Sequence, residues 1–328
     1  MHHKNPPFEI TNEILSQVTE IAELIGKLTA TTGLSANPTL RRTNRIRTIY
    51  SSLAIEQNTL SLEQVTDVIN GKRILAPPLD IAEVKNAYEI YEMMDTLNPY
   101  SVDDFLKAHG VMTRGLVEES GEFRSGSVGV VDEKGNVLHF GTLARYVPNA
   151  VIDLLEWAKT SQIHMLIKSC VFHYELELIH PFADGNGRMG RLWHTLLLTH
   201  WKPLFAWLPV ESIIHNRQKE YYNAINQSNN NGNSTPFILF MLSAIREALT
   251  EALEAENPKE KPSAAELRSQ KILQFLKENQ IITNAHVREL FQVSSATANR
   301  ILAKLTIDGT LQKVHVGRCW GYIQKKSL

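Results

Sequence analysis

The chain has almost no cysteine. Its only two, Cys170 and Cys319, lie far apart and form neither a disulfide framework nor a zinc-ligand spacing. No apolar run approaches the roughly 20 residues needed to cross a bilayer, so no membrane partner is expected. The opening Met-His-His-Lys-Asn-Pro-Pro lacks the apolar stretch of a signal peptide. Together these absences point to a cytoplasmic protein. A strong charge of one sign is also missing, since the formal net charge is −1. That near-neutrality hides an asymmetry. Residues 262–328 hold ten Lys and Arg against four Asp and Glu, while residues 1–261 hold 24 against 31. A basic tail on an acidic body suggests a polyanionic partner for the tail. Internal repeats are absent too, which excludes a solenoid.

What remains is an ordinary globular composition, 43% hydrophobic and 21% charged over 328 residues, with room for about two domains. The apolar period is helical over most of the length. Thr11 is placed to cap a helix carrying Ile14, Leu15, Val18, Ile21, Ile25 and Leu28. Asn37-Pro38 opens a second helix running to about residue 54. Ser61 with Gln64 reads as a capping box, and Gly71 as a stop. Further helices are expected at about 81–97, 102–117, 148–158, 160–179, 187–200 and 236–255. Gln227-Ser-Asn-Asn-Asn-Gly-Asn-Ser reads as a polar loop. Residues 126–140 change to the period of a strand and read as a β-hairpin with a polar turn. After the charged, proline-flanked segment 257–262, the tail reads helix, helix, helix, hairpin, the pattern of a winged helix.

The most informative stretch is His180-Pro-Phe-Ala-Asp-Gly-Asn-Gly-Arg-Met-Gly-Arg191. It puts a base, a carboxylate, a glycine-rich turn and two arginines beside the start of a helix. Glycines let backbone N–H groups approach phosphate oxygens. A helix starting after such a turn aims its positive dipole end at the same place. His180 can take a proton near neutral pH. Asp184 is a hard oxygen ligand suited to Mg²⁺. Arg188 and Arg191 are three apart, share a helix face, and can both reach an anion.

These twelve residues match, position for position, the HxFx(D/E)GNGRxxR signature of the Fic family, and the chain resembles its two-domain adenylyltransferases over roughly residues 10–245. The resemblance implies transfer of AMP from ATP to a Tyr, Thr or Ser hydroxyl of a target protein. It implies His180 as general base and Asp184 as the holder of Mg²⁺. Gly185, Asn186 and Gly187 would cradle the phosphates, Arg188 would contact them near the reacting atom, and Arg191 would hold the γ-phosphate, with Met189 and Gly190 completing the ATP-binding turn. Tyr221, Tyr222 and Asn229 resemble positions near the adenine, although they read equally well as core and loop. Gly121-Glu-Phe-Arg124 resembles the G-x-[FY]-R stretch before the family's flap, here the hairpin at 126–140. An exposed strand edge there can hold a target's backbone by β-addition.

Ser51-Ser-Leu-Ala-Ile-Glu56 resembles the family's inhibitory [S/T]xxxE[G/N] helix. Ser52 and Glu56 match, while Gln57 stands where Gly or Asn is expected. By this resemblance Glu56 pairs with Arg191 and displaces the γ-phosphate, because a carboxylate and a triphosphate compete for one guanidinium. The fold class that follows is mainly α: an N-terminal helical region over 1–100 carrying the inhibitory helix, a Fic core with its β-hairpin flap over 101–256, a linker over 257–262 and a winged helix over 263–328. In the tail, Ser294, Ser295, Thr297, Asn299 and Arg300 would face a DNA groove, with Lys304, Lys313 and Arg318 on phosphates. A protein partner for the same module stays open. So do a DNA-binding regulator whose body only senses nucleotide, removal of AMP by the same site, and a donor other than ATP. Many family members are homodimers, and the target protein is not named by any residue.

Overall fold

Capping chemistry sets where the helices of the body begin. In the computed structural model, which describes residues 5–30, 37–127, 129–131, 137–256, 264–316 and 319–325, Thr11 accepts the Ile14 N–H at 3.2 Å and starts α1 (Asn12–Ala30). Asn37 accepts from the Thr39 and Leu40 N–H groups and starts α2 (Pro38–Ile55), with Pro38 at its first position. Ser61 and Gln64 form the reciprocal capping box of α3 (Leu62–Ile69). α4 (Pro78–Glu92) starts earlier than the sequence suggests, because Pro78 occupies the first turn, where no N–H is needed. α5 (Val102–Met112) stops five residues short of the expected end. A two-stranded antiparallel sheet follows, β1 (Gly129–Val131) on β2 (Val137–Phe140), with a bulge between Val130 and Val131. Its polar turn lies outside the described residues.

α6 (Val147–Thr160), α7 (Met165–Ile179) and α8 (Asn186–Trp201) form the centre of the body. α7 has no distinct polar face and is buried along most of its length, packed against α6, α8 and α11 (Thr235–Glu256). α9 (Val210–Asn216), which the periodicity does not reveal, packs on α2. α10 spans Gln218–Asn231, so the expected Asn-rich loop is instead the last turn of a helix. The physical reason is burial. Ser228 is fully buried and accepts the Phe237 N–H, and Asn229 accepts the Tyr174 hydroxyl, so these polar groups have helical partners; Gly232 ends the helix at φ 64°. One core runs from Ile14 to Ala252 and draws on both the first hundred residues and the segment after them.

The chain divides into Met1–Asn257 and Pro258–Leu328. The second unit has its own core around Ile272, Ile282, Val287, Ala298, Leu302 and Leu311. It is built from α12 (Ala264–Glu278), α13 (Asn284–Phe291), α14 (Ser295–Ile307) and the antiparallel pair β3 (Leu311–Val316) and β4 (Cys319–Gln324). A single antiparallel β-bridge joins Ile282 to Tyr322 beside the hairpin. The segment 257–262 and Arg318 lie outside the described residues. Among the described residues, no helix is long and apolar enough to cross a membrane.

Candidate active site

The site grows from the junction of α7 and α8. α7 ends at His180, whose backbone sits in the left-handed region at φ 52°. A non-glycine residue there costs about 1–2 kcal/mol, so something must hold it. Arg124 does so. Buried, it donates from Nε to the His180 carbonyl at 2.7 Å, from Nη1 to the Gly126 carbonyl at 2.6 Å, and from Nη2 to the Thr142 carbonyl. One guanidinium thus ties both stems of the hairpin to the residue expected to act as base. The His180 ring is partly exposed, with Nδ1 3.3 Å from the Glu177 carbonyl.

The turn after His180 is shaped from within. Asn186 donates to the Phe182 carbonyl and accepts the Phe182 N–H, both at 2.9 Å. Its side chain therefore braces the loop, and only its backbone N–H remains for an anion. Gly185 precedes α8 at φ 82°, a conformation that favours glycine. His109, which sequence reasoning passed over, clamps the loop from outside. Its ring stacks on Phe182 at 3.6 Å between centroids, accepts the Gly121 N–H on Nδ1, and so donates from Nε2 to the Asp184 carbonyl at 3.0 Å. Burial holds His109 down at about 4, and Arg188 adds to that against the pull of Asp184. A histidine twelve residues before a G-x-F-R stretch was the available signal, but nothing in a single sequence distinguishes it from a core histidine.

Asp184 is 60% exposed and pairs with Arg188 at 3.0 Å; the buried Arg188 also pairs with Glu83 at 3.0 Å. Arg191 is 1% exposed. It donates to the Ser52 hydroxyl and carbonyl at 3.0 Å each and to Glu56 at 2.7 Å. Burial opposes its charge most strongly, yet Glu56, Tyr221 and Glu177 together outweigh burial and hold the guanidinium above its ordinary range. Glu56 caps α2 in a Schellman turn. Asn58 donates to the Leu53 carbonyl and Gln57 to the Ala54 carbonyl, both at 3.1 Å, with Gln57 at φ 67°. The missing Gly or Asn therefore leaves the turn intact, at the strain of a glutamine in a left-handed conformation. The Glu56 carboxylate lies against Gly187, where any Cβ would overlap Glu56 Oε1. This close approach is why a glycine stands at the second residue of α8. Glu177, largely buried in the last turn of α7, is pushed up to about 7 by burial, against the lowering influence of His180 and Arg191 and with Glu56 adding to the rise. Its carboxyl therefore senses base and clamp together.

The adenine-side expectations divide. Tyr221 is 1% exposed, its hydroxyl 3.1 Å from His173 Nε2 and its ring among Phe237 and Phe240. It is a core residue and offers no free face. Met189 is likewise fully buried, and Gly190 packs under His173 and Glu177. Tyr222 remains exposed and feels the charges of Glu56 and Arg191, so it borders the clamp. Asn229 is held by Tyr174 at 2.8 Å. Among the described residues, no group of three or more His, Cys, Asp or Glu could hold a metal ion. The donor set still suits Mg²⁺, which commonly takes one carboxylate, here Asp184, with substrate phosphates and water for the rest.

In the second unit, the expected groove readers are largely engaged. Asn284 donates to Asn299 Oδ1 at 2.6 Å and accepts from the Ser295 hydroxyl at 3.2 Å, and Ser294 caps α14 beside Thr297. Arg300 and Lys304 stay exposed, and Lys313 lies over the Trp320 ring at 4.3 Å.

Comparison with known proteins follows the same division. Residues 99–198 match the model of the Fic/DOC family, and residues 268–319 match a DeoR-like helix-turn-helix domain. A crystal structure of a Fic family protein from Desulfovibrio desulfuricans is 41% identical, covers 99% of both chains and superposes with a TM-score of 0.75. A Fic domain containing signaling protein from Bacteroides thetaiotaomicron, 22% identical over 73% of this chain and 97% of its own, shares the fold with a TM-score of 0.62. The protein adenylyltransferase fic-1 of Caenorhabditis elegans is 29% identical over 209 residues, 59% of this chain and 38% of its own. The protein adenylyltransferase Fic of Nematostella vectensis is 29% identical over 59% of this chain and 45% of its own. The chain therefore spans less than half the length of these curated relatives. With a loop of this geometry and a relative matched along nearly its whole length, the chain belongs to the Fic family.

Proposed function

We propose that this protein transfers AMP from ATP to a hydroxyl of a target protein and that Glu56 restrains it. The observation that carries the reading is the place of the Glu56 carboxylate, on Gly187 and Arg191 at the N-terminal end of α8. Helix dipole, free N–H groups and a buried guanidinium make that spot suited to a phosphate. A carboxylate there stands in for one.

With Glu56 withdrawn, Arg191 is free to hold the γ-phosphate, and Arg188 to neutralise charge nearer the α-phosphorus. The target hydroxyl oxygen forms a bond to the α-phosphorus as the bond to the pyrophosphate oxygen breaks in line. His180 takes the hydroxyl proton. Asp184 would hold Mg²⁺, which would supply charge neutralisation for the leaving pyrophosphate. The hairpin presents strand edges that suit an extended target segment, and Arg124 keeps its stems in register with His180.

Labelled ATP and the Glu56→Gly variant test the reading. Label on protein from the α-position is expected; label only from the γ-position, or none from either, refutes it. The second unit is proposed to dock on DNA phosphates through Arg300, Lys304 and Lys313. A shift assay on the full chain should show affinity that falls steeply with salt, and no shift even at low salt overturns it.

A further inference from the structure

A cavity opens on α2, three turns before Glu56. Its volume is about 190 Å³, and its walls include Arg41, Arg42, Arg45, Tyr88, Glu92 and Trp207. The three arginines project from the first two turns of one helix, at spacings that bring like charges together. No acidic residue stands in that first turn. The positive end of the helix dipole adds to the same excess.

The neutralisation on hand is slight. Arg42 donates to the uncharged Asn70 at 2.7 Å. Arg41 stacks over Trp207 at 5.1 Å. Arg45 is 5% exposed, stacks on Trp207 at 4.7 Å and on Tyr91 at 5.4 Å, and lies 3.8 Å from Glu92, beyond hydrogen-bond reach, with Asp95 and Glu211 acting on its charge from farther off. Among the described residues, its Nε and Nη1 donors are buried without a hydrogen-bond partner. Native interiors rarely leave such donors unmet, least of all on a charged group. Three guanidinium groups and one carboxylate line a space larger than a phosphate ion, a positive excess on the wall that Asp95 and Glu211 offset only from outside it.

We infer that this cavity is a binding site for a phosphate dianion, free or as the monoester of a small molecule, with Arg45 as its buried anchor. A dianion matches the uncompensated charge, and tetrahedral oxygens accept from several guanidinium forks at once. Tyr88 and Trp207 provide an apolar wall for the body of an ester. The site is distinct from the catalytic turn, because eleven residues of helix, about 16 Å, separate Arg45 from Glu56. It stands whether or not the AMP-transfer reading does.

Calorimetric titration of the full chain carrying Arg188→Ala, which weakens anion binding at the catalytic turn, tests it with inorganic phosphate and phenyl phosphate as probes and acetate as control. One site is expected for each phosphate probe, weakened about tenfold or more by Arg45→Met through loss of a charge-assisted bond. Phenyl phosphate binding more tightly than inorganic phosphate identifies an ester as the ligand; equal affinity identifies free phosphate. Met keeps much of the stem that packs on Trp207, and should Arg45→Met not fold, the half-exposed Glu92→Gln carries the test: removing the competing carboxylate should tighten both probes. Acetate binding as tightly as phosphate, no phosphate binding at millimolar concentration, or affinities indifferent to residues 45 and 92 would overturn the inference.

Discussion

Removing the Glu56 carboxylate should destabilise the empty protein and strengthen its hold on ATP at the same time. The bond at stake is Glu56 Oε1 to Arg191 Nη2 at 2.7 Å, between a side chain 33% exposed and one 1% exposed. Hydrogen bonds to charged groups contribute about 1.5–3 kcal/mol. Partial exposure of Glu56 screens the interaction and favours the lower end of that range. Arg191 retains both Ser52 acceptors, so its charge is not left bare. A loss of about 1.5 kcal/mol lowers the melting temperature of a body this size by about 3–6 °C. The same interaction is what a γ-phosphate must displace. Without it, ATP affinity should rise about tenfold or more, at about 1.4 kcal/mol per decade. Thermal melts of wild type and Glu56→Gly, with and without Mg·ATP, should therefore cross: the variant lower when empty, and raised more by nucleotide. Transfer of α-label should rise in parallel. A stable variant that binds ATP no more tightly than wild type and transfers no faster would refute the reasoning.

Replacing His180 by Ala should leave the fold intact and reduce AMP transfer about 10²–10⁴-fold, read by α-label incorporation; wild-type-like transfer would dismiss the base assignment. Gly187→Ala puts a methyl against the tips of Glu56 and Arg191, which can shift, so it should cost at most about 1 kcal/mol, and less when combined with Glu56→Gly; additive losses in that cycle would contradict the close approach. Arg124→Met removes donors from the Gly126, Thr142 and His180 carbonyls, so amide exchange near residues 126 and 142 should accelerate and transfer should fall, whereas unaltered exchange would show that the hairpin stems do not depend on it. Acid should weaken the fold below about pH 6.5. His109 is held down at about 4, and His173 and His194 at about 3, chiefly by burial, so all three stay neutral when folded and gain protons on unfolding. Glu177 and Glu211, raised by burial, act in the opposite sense and offset part of this. The net uptake is about one proton, or about 1.4 kcal/mol per pH unit, and a melting temperature that climbs from pH 6.5 to pH 5 would contradict it.

Legibility followed the range of the interaction. Thr11, Asn37, Ser61 and Gln64 cap helices through partners two or three residues away, and those helices were readable. The pattern failed where burial overrode it. The Asn-rich stretch after Gln227 looks like a loop, but Ser228 and Asn229 find tertiary partners and stay helical. Tyr221 looked available for stacking and is core. Asn186 looked like a phosphate ligand, yet its side chain braces Phe182.

By itself the sequence determined the helical class, the winged pattern of the tail and the glycine-rich turn after His180, because each rests on capping, periodicity or motif signals between residues near one another in the chain. The contact of Glu56 with Arg191 across 135 positions was expected from the resemblance and not from any local spacing, and only the tertiary structure decided that Arg124 holds both ends of the hairpin to His180 and that His109 seats the loop. Those contacts depend on which helix faces which. That is settled by the packing of the whole core, and no local spacing encodes it.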